Sequence, residues 1–584
     1  MLRTRWLGRV PYGDAHALQQ GLFSRAVDDY LLLLEHPHTY TLGRNADPAH
    51  VLVDPASVGA ALHRVDRGGD VTYHGPGQLV GYPILSVPGR RGGGMADTVA
   101  YVRSVEQLVI DVLGDLGLGG ASRLDRCTGV WIDADGPRPR KIAAIGVRLA
   151  RGRSMHGFAL NVAPDLSMFD HIVPCGITDK GVTSLLAEGV DVPMREVVDA
   201  VAARAGNLWG SGGVERADVV WRLHRDDRDL SPFSRGAGVG EPITPARSAP
   251  AIAAESARPG TSVRLLGRLA EAGVSGGIRI EERKPEWMRA RVQVGDRVLA
   301  LRRTVRDLDL VTVCEEAGCP NLSECWSEGT ATFMLCGERC TRACGFCLVD
   351  TRHPEPLDPG EPDRVAAAVD GMGLDYAVLT MVARDDLADG GAAHVAATIR
   401  AIRRRCPETR IEALISDLAG EPDSLDVVLG AGPDVLNHNI ETVARLQRAV
   451  RPSAAYARSL AVLARSAATG VSTKSGIVVG MGETSEEVVA TLADLRSVGV
   501  DIVTIGHYLR PTTHHLPVER WWTPADFDEW KRIGEQELGI AHVESSPLTR
   551  SSHHARAAEQ SARSAGNAQA TGVRSTDVLQ GLEG

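Results

Sequence analysis

Seven of the ten cysteines in this 584-residue chain fall between Cys314 and Cys347. A fold that gathers so many thiols in so short a stretch must either bridge them or lend them to metal. Disulfide frameworks belong to small secreted chains. The N-terminus, Met-Leu-Arg-Thr-Arg-Trp, lacks the apolar run of a secretory signal. A strand-like pattern follows almost at once and leaves no room for a removable segment. No window reaches the roughly 18–20 consecutive apolar residues that a membrane span needs. The expectation is a cytoplasmic protein off the membrane, with thiols that hold metal in a reducing compartment.

The spacing of the cysteines narrows the metal. In Cys340-Thr-Arg-Ala-Cys344-Gly-Phe-Cys347, three residues and then two separate the thiols. Three thiolates on one loop hold three irons of a [4Fe-4S] cube and leave the fourth iron free to chelate a small molecule. A fully ligated electron-transfer cluster needs a fourth cysteine. Structural zinc sites pair two Cys-x2-Cys-like halves or add histidines, which an odd trio fits poorly. A second trio, Cys314, Cys319 and Cys325, lies just upstream. Cys336 is an extra thiol that reads as a small buried residue or as a competitor for iron, and it is not counted among the ligands.

At roughly 100–200 residues per domain, the chain is too long for one core. Its 43% apolar and 24% charged residues fit globular protein. A net charge of −10 disfavours nucleic-acid binding through phosphates and leaves open a local basic patch for an acidic carrier protein. Residues 1–228 alternate strands (Tyr30–Glu35, Lys141–Leu149, Gly157–Val162) with amphipathic helices (Thr98–Leu116, Val192–Leu208). Residues 229–262 are rich in Gly, Pro, Ala and Ser and read as a flexible linker. Residues 263–556 form a second domain. From about Asp363 it alternates helices (Ala392–Arg405, Val443–Val450, Ser485–Val498) with strands (Tyr376–Thr380, Ile411–Leu414, Val435–Asn439, Ser475–Val479, Ile502–Tyr508). That rhythm predicts βα units around a parallel, barrel-like sheet. Residues 557–584 are Ser, Ala, Gly, Arg and Gln in the main and read as a tail without order.

In the first domain the informative stretch is Arg67-Gly68-Gly69-Asp70-Val71-Thr72-Tyr73-His74, followed by Gly75-Pro76-Gly77-Gln78. Glycine pairs flanking a strand point to backbone held close to a ligand. A Gly-Lys-Ser/Thr phosphate loop is absent. Lys141, Ala144-Ile145-Gly146, His156-Gly157-Phe158-Ala159 and Pro174-Cys175-Gly176 follow. Cys175, in its Pro-Cys-Gly turn, is the candidate nucleophile, since a thiol splits acyl transfer into two easier steps. Such a thiol needs deprotonation, which a neighbouring ammonium favours, and His156 or His74 offers a general base. Cys127 reads as structural.

The C-x3-C-x2-C trio followed by βα repeats resembles the radical-SAM superfamily. In that superfamily the open iron takes S-adenosylmethionine, whose reduction gives a 5′-deoxyadenosyl radical. Both trios together resemble lipoyl synthase across residues 280–556. The match extends to Arg283-Lys284-Pro285-Glu286-Trp287, Arg384-Asp385-Asp386, Asn437-His438-Asn439, Lys474-Ser475-Gly476, Gly480-Met481-Gly482-Glu483 and Arg550-Ser551-Ser552. The resemblance implies a second cluster on Cys314, Cys319, Cys325 and Ser552 that donates its sulfides to the product, so two [4Fe-4S] clusters in all. His553 stands where that family has tyrosine, and His507 where glutamine is more usual. Residues 5–225 resemble lipoate-protein octanoyltransferase. That resemblance makes Lys141 the partner of Cys175. It also makes Arg67–His74, Ala144–Gly146 and Gly157–Ala159 the lining of the acyl channel.

The fold these resemblances imply is α/β in two domains. The first is biotin/lipoate-ligase-like; the second is a partial TIM-type radical-SAM barrel with an N-terminal cluster-binding extension. The implied function is bifunctional lipoate biosynthesis: octanoyl transfer, then insertion of two sulfurs at C6 and C8. The implied partners are octanoyl-acyl carrier protein, the lipoyl domains of 2-oxoacid dehydrogenase complexes, glycine cleavage H protein, and an electron donor such as ferredoxin or flavodoxin. Three rivals stand beside it: a biotin-synthase-like sulfurtransferase, an ATP-dependent ligase in the first half, and a cysteine-rich zinc module fused to an acyltransferase or ligase-like domain.

Overall fold

The computed structural model describes residues 1–87, 97–176, 179–221, 268–274, 276–278, 282–289, 308, 310, 321, 325 and 329–564, with Cys175 described by its backbone alone. Cys314, Cys319, the expected linker at 229–262 and residues 565–584 lie outside the described residues. The chain divides into two units, Met1–Trp221 and Arg222–Gly584.

The first unit is built on β1 (Leu2–Arg9), β2 (Asp29–Glu35), β3 (Thr39–Leu42), β4 (Ala61–Arg64), β5 (Val71–His74), β6 (Gln78–Ile84), β7 (Ser122–Leu124), β8 (Cys127–Ile132), β9 (Arg140–Ala150), β10 (Arg153–Asn161), β11 (Gly181–Val182) and β12 (Val214–Asp218). The main sheet runs β12-β1-β2-β6-β10-β9-β8-β7, with β11 added alongside β9. Helices α2 (Thr98–Asp115) and α3 (Met194–Trp209) cover one face. Their apolar stripe (Val105, Leu108, Val109 and Val112; Val197, Val198 and Val201) packs on Leu31, Leu33, Leu79, Val130, Ile142 and Leu160. Helix α1 (Tyr12–Arg25) lies against β10 and β6.

A second sheet, β4-β3-β5, has its own small core. Side chains of a strand alternate sides. On β5, Val71 and Tyr73 accordingly enter the core of Tyr40, Met168, Phe169 and Ile172, while Thr72 and His74 face the other way.

Among the described residues, the second unit holds seven parallel strands: β13 (Thr330–Leu335), β14 (Tyr376–Met381), β15 (Arg410–Leu414), β16 (Val435–Asn437), β17 (Ser472–Val479), β18 (Ile502–His507) and β19 (His542–Ser545). Spatial order equals chain order. Every crossover therefore steps the same way, and right-handed connections put the helices on one side, which curls the sheet into a partial barrel. The helices Glu361–Gly371, Ala392–Arg405 and Pro422–Leu429 pack outside on Ala377, Leu379, Ile411, Ala413 and Leu436.

The tail expected from residue 557 is corrected at its start, because residues 555–564 are helical. Composition there conceals a packed face. Ala558 and Ala562, one turn apart, bury against Ile502, and Ala555 buries against Tyr376 and Val378. Glu559 pairs with Arg410. The helix thus lies beneath the N-terminal ends of β14, β15 and β18. Among the described residues, no helix is long and apolar enough to cross a membrane.

Candidate functional sites

A cavity opens in the first unit between α1, β5, β6, β9 and β10. It is lined by Arg67, Gly68, Gly69, Asp70, Thr72 and His74, by Ala144, Ile145 and Gly146, and by Gly157, Phe158 and Ala159. Three separate motifs thus meet around one space. Val71 and Tyr73 do not join them, for the strand-alternation reason given above. Tyr12, Val80 and Tyr82 do, and the sequence reading missed them. Tyr12 and Tyr82 lie in no glycine-rich motif, so only the pairing of β6 with β2 and the docking of α1 reveal them.

The glycines permit close approach rather than simple width. A methyl on Gly43 would lie 2.3 Å from the Gly69 carbonyl oxygen. One on Gly146 would lie 3.0 Å from both Arg67 Cδ and the Gly68 oxygen. The loop 67–70 therefore lies flat on β9, where the Gly68 amide donates to the Val147 carbonyl at 3.0 Å. Buried Arg67 donates through Nη2 to both oxygens of Thr41 at 2.8 Å.

His74 and His156 are held neutral. The Gln78 amide donates to Tyr73 O and Asn161 Oδ1, so its oxygen accepts and His74 carries its proton on Nδ1, at 2.8 Å. Burial drives His74 well below the ordinary histidine range. His156 Nε2 meets Asp66 Oδ1 at 2.8 Å. Burial outweighs that carboxylate and brings the ring down to about 4.

Cys175 sits in a short turn, Pro174–Gly176, whose glycine has φ +68°. A methyl on Gly176 would lie 2.9 Å from Asp70 Oδ2 and 3.4 Å from the His50 ring, so the turn rests on the cavity wall. His50 Nδ1 in turn meets Asp70 Oδ2 at 2.5 Å. No motif marks His50, an isolated histidine in an Asp-Pro-Ala-His turn. Lys141, on β9, is buried, and its ammonium lies 4.8 Å from the centre of the Trp131 ring. After Cys175 the chain returns as β11, where Val182 pairs in register with Lys141. Lys141 is not among the residues lining the cavity.

In the second unit, functional groups follow the C-terminal ends of the strands, where βα loops converge. The loop after β13 carries Cys340, Cys344 and Cys347. Cys340 N donates to Asp350 O at 2.8 Å, and Gly345 N donates to Val450 O at 2.8 Å. A methyl on Gly345 would lie 2.7 Å from Leu516, so the loop packs tightly at that residue. The Arg342 guanidinium bridges Asp385, after β14, and Asp417, after β15, at 2.7 and 2.6 Å. His515 Nε2 donates to Cys347 O at 2.9 Å.

Burial pushes the Cys344 thiol up to about 11 and Cys347 up to about 12, and each thiol is close enough to its neighbours to add to the rise. Three half-buried thiols on one loop fit three irons of a cube. Metal displaces the protons that burial otherwise keeps in place.

Several motif residues serve structure. Arg384, which the sequence left as a cofactor contact or exposed charge, is buried and donates to Asp386 at 2.8 and 2.9 Å and to Cys336 O at 3.0 Å. In Gly480-Met481-Gly482-Glu483 the glycines have φ +108° and +112°. A methyl on Gly480 would lie 2.3 Å from His507, and one on Gly482 2.5 Å from Val274. Glu483 accepts from Met481 N at 3.0 Å and from Trp522 Nε1 at 2.6 Å. Cys336 is 2% exposed in the core, and its thiol is pushed up to about 12 by burial. That is the small buried residue of the two readings.

Of the four expected ligands for a second cluster, Cys325 and Ser552 are described. Cys325 N donates to Asn321 O at 3.0 Å, and Asn321 Nδ2 donates to Leu548 O at 2.8 Å. One asparagine thus ties the Cys325 segment to the strand of chain that leads into Arg550-Ser551-Ser552. Ser551 Oγ accepts from Asn439 at 2.7 Å, and Ser552 beside it is half-buried.

A thiol trio on the loop after the first strand of a sequentially wound parallel sheet defines a radical-SAM protein. The Radical SAM superfamily model matches residues 334–495. The model of the lipoyl protein ligase A/B catalytic domain matches residues 11–205. The lipoyl synthase of Rubrobacter xylanophilus is 55% identical over 282 residues, covering 48% of this chain and 88% of that protein. That of Chlorobium limicola is 53% identical over 279 residues, covering 47% and 95%. The chain belongs to the lipoyl synthase family. A bipartite lipoate protein ligase from Thermoplasma acidophilum aligns at TM-score 0.32 and 20% identity, over 38% of this chain and 88% of that one.

Proposed function

We propose that the chain makes protein-bound lipoate in two consecutive reactions. The observation that carries this reading is one chain holding both a lipoyl-synthase half and a lipoyl-ligase-type catalytic domain.

In the first unit, the Cys175 thiolate attacks the octanoyl thioester of acyl carrier protein. The carrier's thiol leaves with a proton, and octanoyl stays on Cys175. The amine of a lipoyl-domain lysine then displaces Cys175 and forms the amide. Lys141 stabilises the thiolate and relays the proton. The cavity beside the Cys175 turn receives the alkyl chain, with the loop 67–70, Ala144–Gly146 and Gly157–Ala159 against it. The neutral state of His74 and His156 suits an apolar guest, and their lowered basicity leaves the proton to the Lys141 side.

In the second unit, Cys340, Cys344 and Cys347 hold one [4Fe-4S] cluster. Cys314, Cys319, Cys325 and Ser552 hold a second. Bound there, the clusters supply the reductive cleavage of S-adenosylmethionine and the sulfur that enters at C6 and C8. Arg342, locked between Asp385 and Asp417, fixes the loop that presents the three thiols. The acceptors are lipoyl domains of 2-oxoacid dehydrogenase complexes and glycine cleavage H protein, and electrons come from a ferredoxin or flavodoxin.

The test is anaerobic conversion of an apo lipoyl domain by the full chain with octanoyl-acyl carrier protein, S-adenosylmethionine and reductant, followed by mass. Cys175→Ala is expected to leave the domain unmodified without any dependence on ATP. Cys344→Ala is expected to stop at the octanoylated domain. Sulfur insertion by Cys344→Ala, or ATP-dependent transfer by Cys175→Ala, would overturn the respective half.

A further inference from the structure

At the outer edge of the C-terminal sheet, β19 carries His542 and Glu544 two positions apart, hence on one face. The turn after Ser552 brings His553 and His554 to the same spot. His554 Nδ1 lies 3.1 Å from Glu544 Oε1, and His553 Nδ1 lies 4.0 Å from that oxygen. His542 Nε2 lies 3.4 Å from the second carboxylate oxygen. The rings of His553 and His554 stack with centroids 3.8 Å apart. The ligand atoms of Glu544, His553 and His554 all fall within 4.8 Å of one another.

A tetrahedral ion with bonds of roughly 2.0–2.1 Å to nitrogen and oxygen spaces its ligand atoms roughly 3.3–3.4 Å apart. Small side-chain rotations therefore bring this set to bonding distance. The four side chains are between 9% and 34% exposed, which is sheltered yet reachable. Among the described residues, the charge partners of Glu544 are imidazoles alone.

The geometry points to a mononuclear transition-metal site on Glu544, His553 and His554, with His542 beside the carboxylate's second oxygen. Nitrogen and carboxylate donors of this kind suit zinc or ferrous iron. The site takes no part in the reactions proposed above. Its existence does not depend on the reading of Ser552 as a cluster ligand. Its consequence does: the ion would pin the turn that presents Ser552 to strand β19, whether or not the second cluster is in place.

The experiment uses the full chain, reconstituted anaerobically to constant iron and sulfide and dialysed against micromolar zinc chloride. One zinc per chain is expected beyond the clusters. Its X-ray absorption edge should show only nitrogen and oxygen neighbours at about 2.0–2.1 Å, and zinc should raise the Tm. The double variant His553→Ala/His554→Ala should keep its iron and sulfide and lose more zinc affinity than the roughly 10–100-fold that removal of an outer-shell partner costs. Glu544→Gln, which keeps the side-chain shape, should weaken zinc binding and abolish the rise in Tm. Zinc bound through sulfur, or bound equally by the wild type and both variants, overturns the site. None of these readouts uses sulfur insertion, so loss of the lipoyl-synthase reading and loss of this site are told apart.

Discussion

Lys474 and its partner Glu412 have no exposed side-chain surface, and their charges meet at 3.0 Å. Glu412 also accepts from the Tyr376 hydroxyl at 3.0 Å and from Asn437 Nδ2 at 2.7 Å, so its ionised form is fully engaged. Removing one member of such a pair strands the other. Lys474→Met is expected to cost roughly 3–5 kcal/mol in the C-terminal unit, and adding Glu412→Gln should recover much of it. Denaturant unfolding followed by the C-terminal tryptophans reads both. His36 makes a second residue-scale prediction. Its Nδ1 meets Val10 O at 2.7 Å, and its Nε2 meets the Tyr82 hydroxyl at 2.7 Å. Burial lowers it from 6.5 to about 4. Between those values the unfolded chain binds a proton that the folded chain refuses. The stabilisation is therefore complete above about pH 6.5 and is lost as pH falls toward 4, by roughly 3 kcal/mol for this ring. Hydrogen exchange across β2 and β6 should become faster over that interval after correction for intrinsic rates. His36→Gln should flatten the dependence. At Gly146 a methyl would press on Arg67 and the Gly68 carbonyl. Gly146→Ala should raise KM for octanoyl carrier at least severalfold while leaving Cys175 reactive to a small thiol reagent.

The helix 555–564 makes the prediction at the scale of elements. Ala558 is wholly buried beneath Ile502, and a larger side chain there overpacks. Overpacking costs typically 1–3 kcal/mol. Ala558→Leu should lower the Tm of the C-terminal unit and leave that of the first unit in place. The same helix shows where sequence reading ran out. Its apolar face is made of alanine, which carries almost no hydropathy signal, so composition pointed to disorder. The helices Ala392–Arg405 and Ser485–Val498 were legible to the residue, the first by its apolar stripe and the second by its start, where Thr484 and Glu487 form a capping box. β17 was read from Ser475 but begins at Ser472, since Thr473 and Lys474 are polar residues that are nonetheless fully buried. β13 and α1 went unread. Their buried polar residues, among them Thr330, Thr332, Asp14 and Gln19, break the periodicity that marks a strand or a helix. At the sites, the glycine-rich and cysteine motifs were visible because they are contiguous. His50, Tyr12, Tyr82 and the Glu544 cluster were invisible because only the fold brings their distant positions together.

At the scale of the whole molecule, two units with separate cores share one chain. Joining them raises the concentration of the second site near the product of the first, without any new contact. The fused chain should form lipoyl groups faster than equimolar separated halves at low concentration, and the advantage should shrink as both are concentrated. Equal rates at every dilution would remove the kinetic reason for the fusion.

The helix under the sheet also sets an order of assembly on the ribosome. The N-terminal unit has its full set of strands once β12 at Val214–Asp218 has emerged to pair with β1. The floor of the C-terminal unit stays open until residues 555–564 arrive to close it over Ile502 and Tyr376. Domains fold vectorially during synthesis, so the nascent chain completes its first unit before the last helix of the second has emerged.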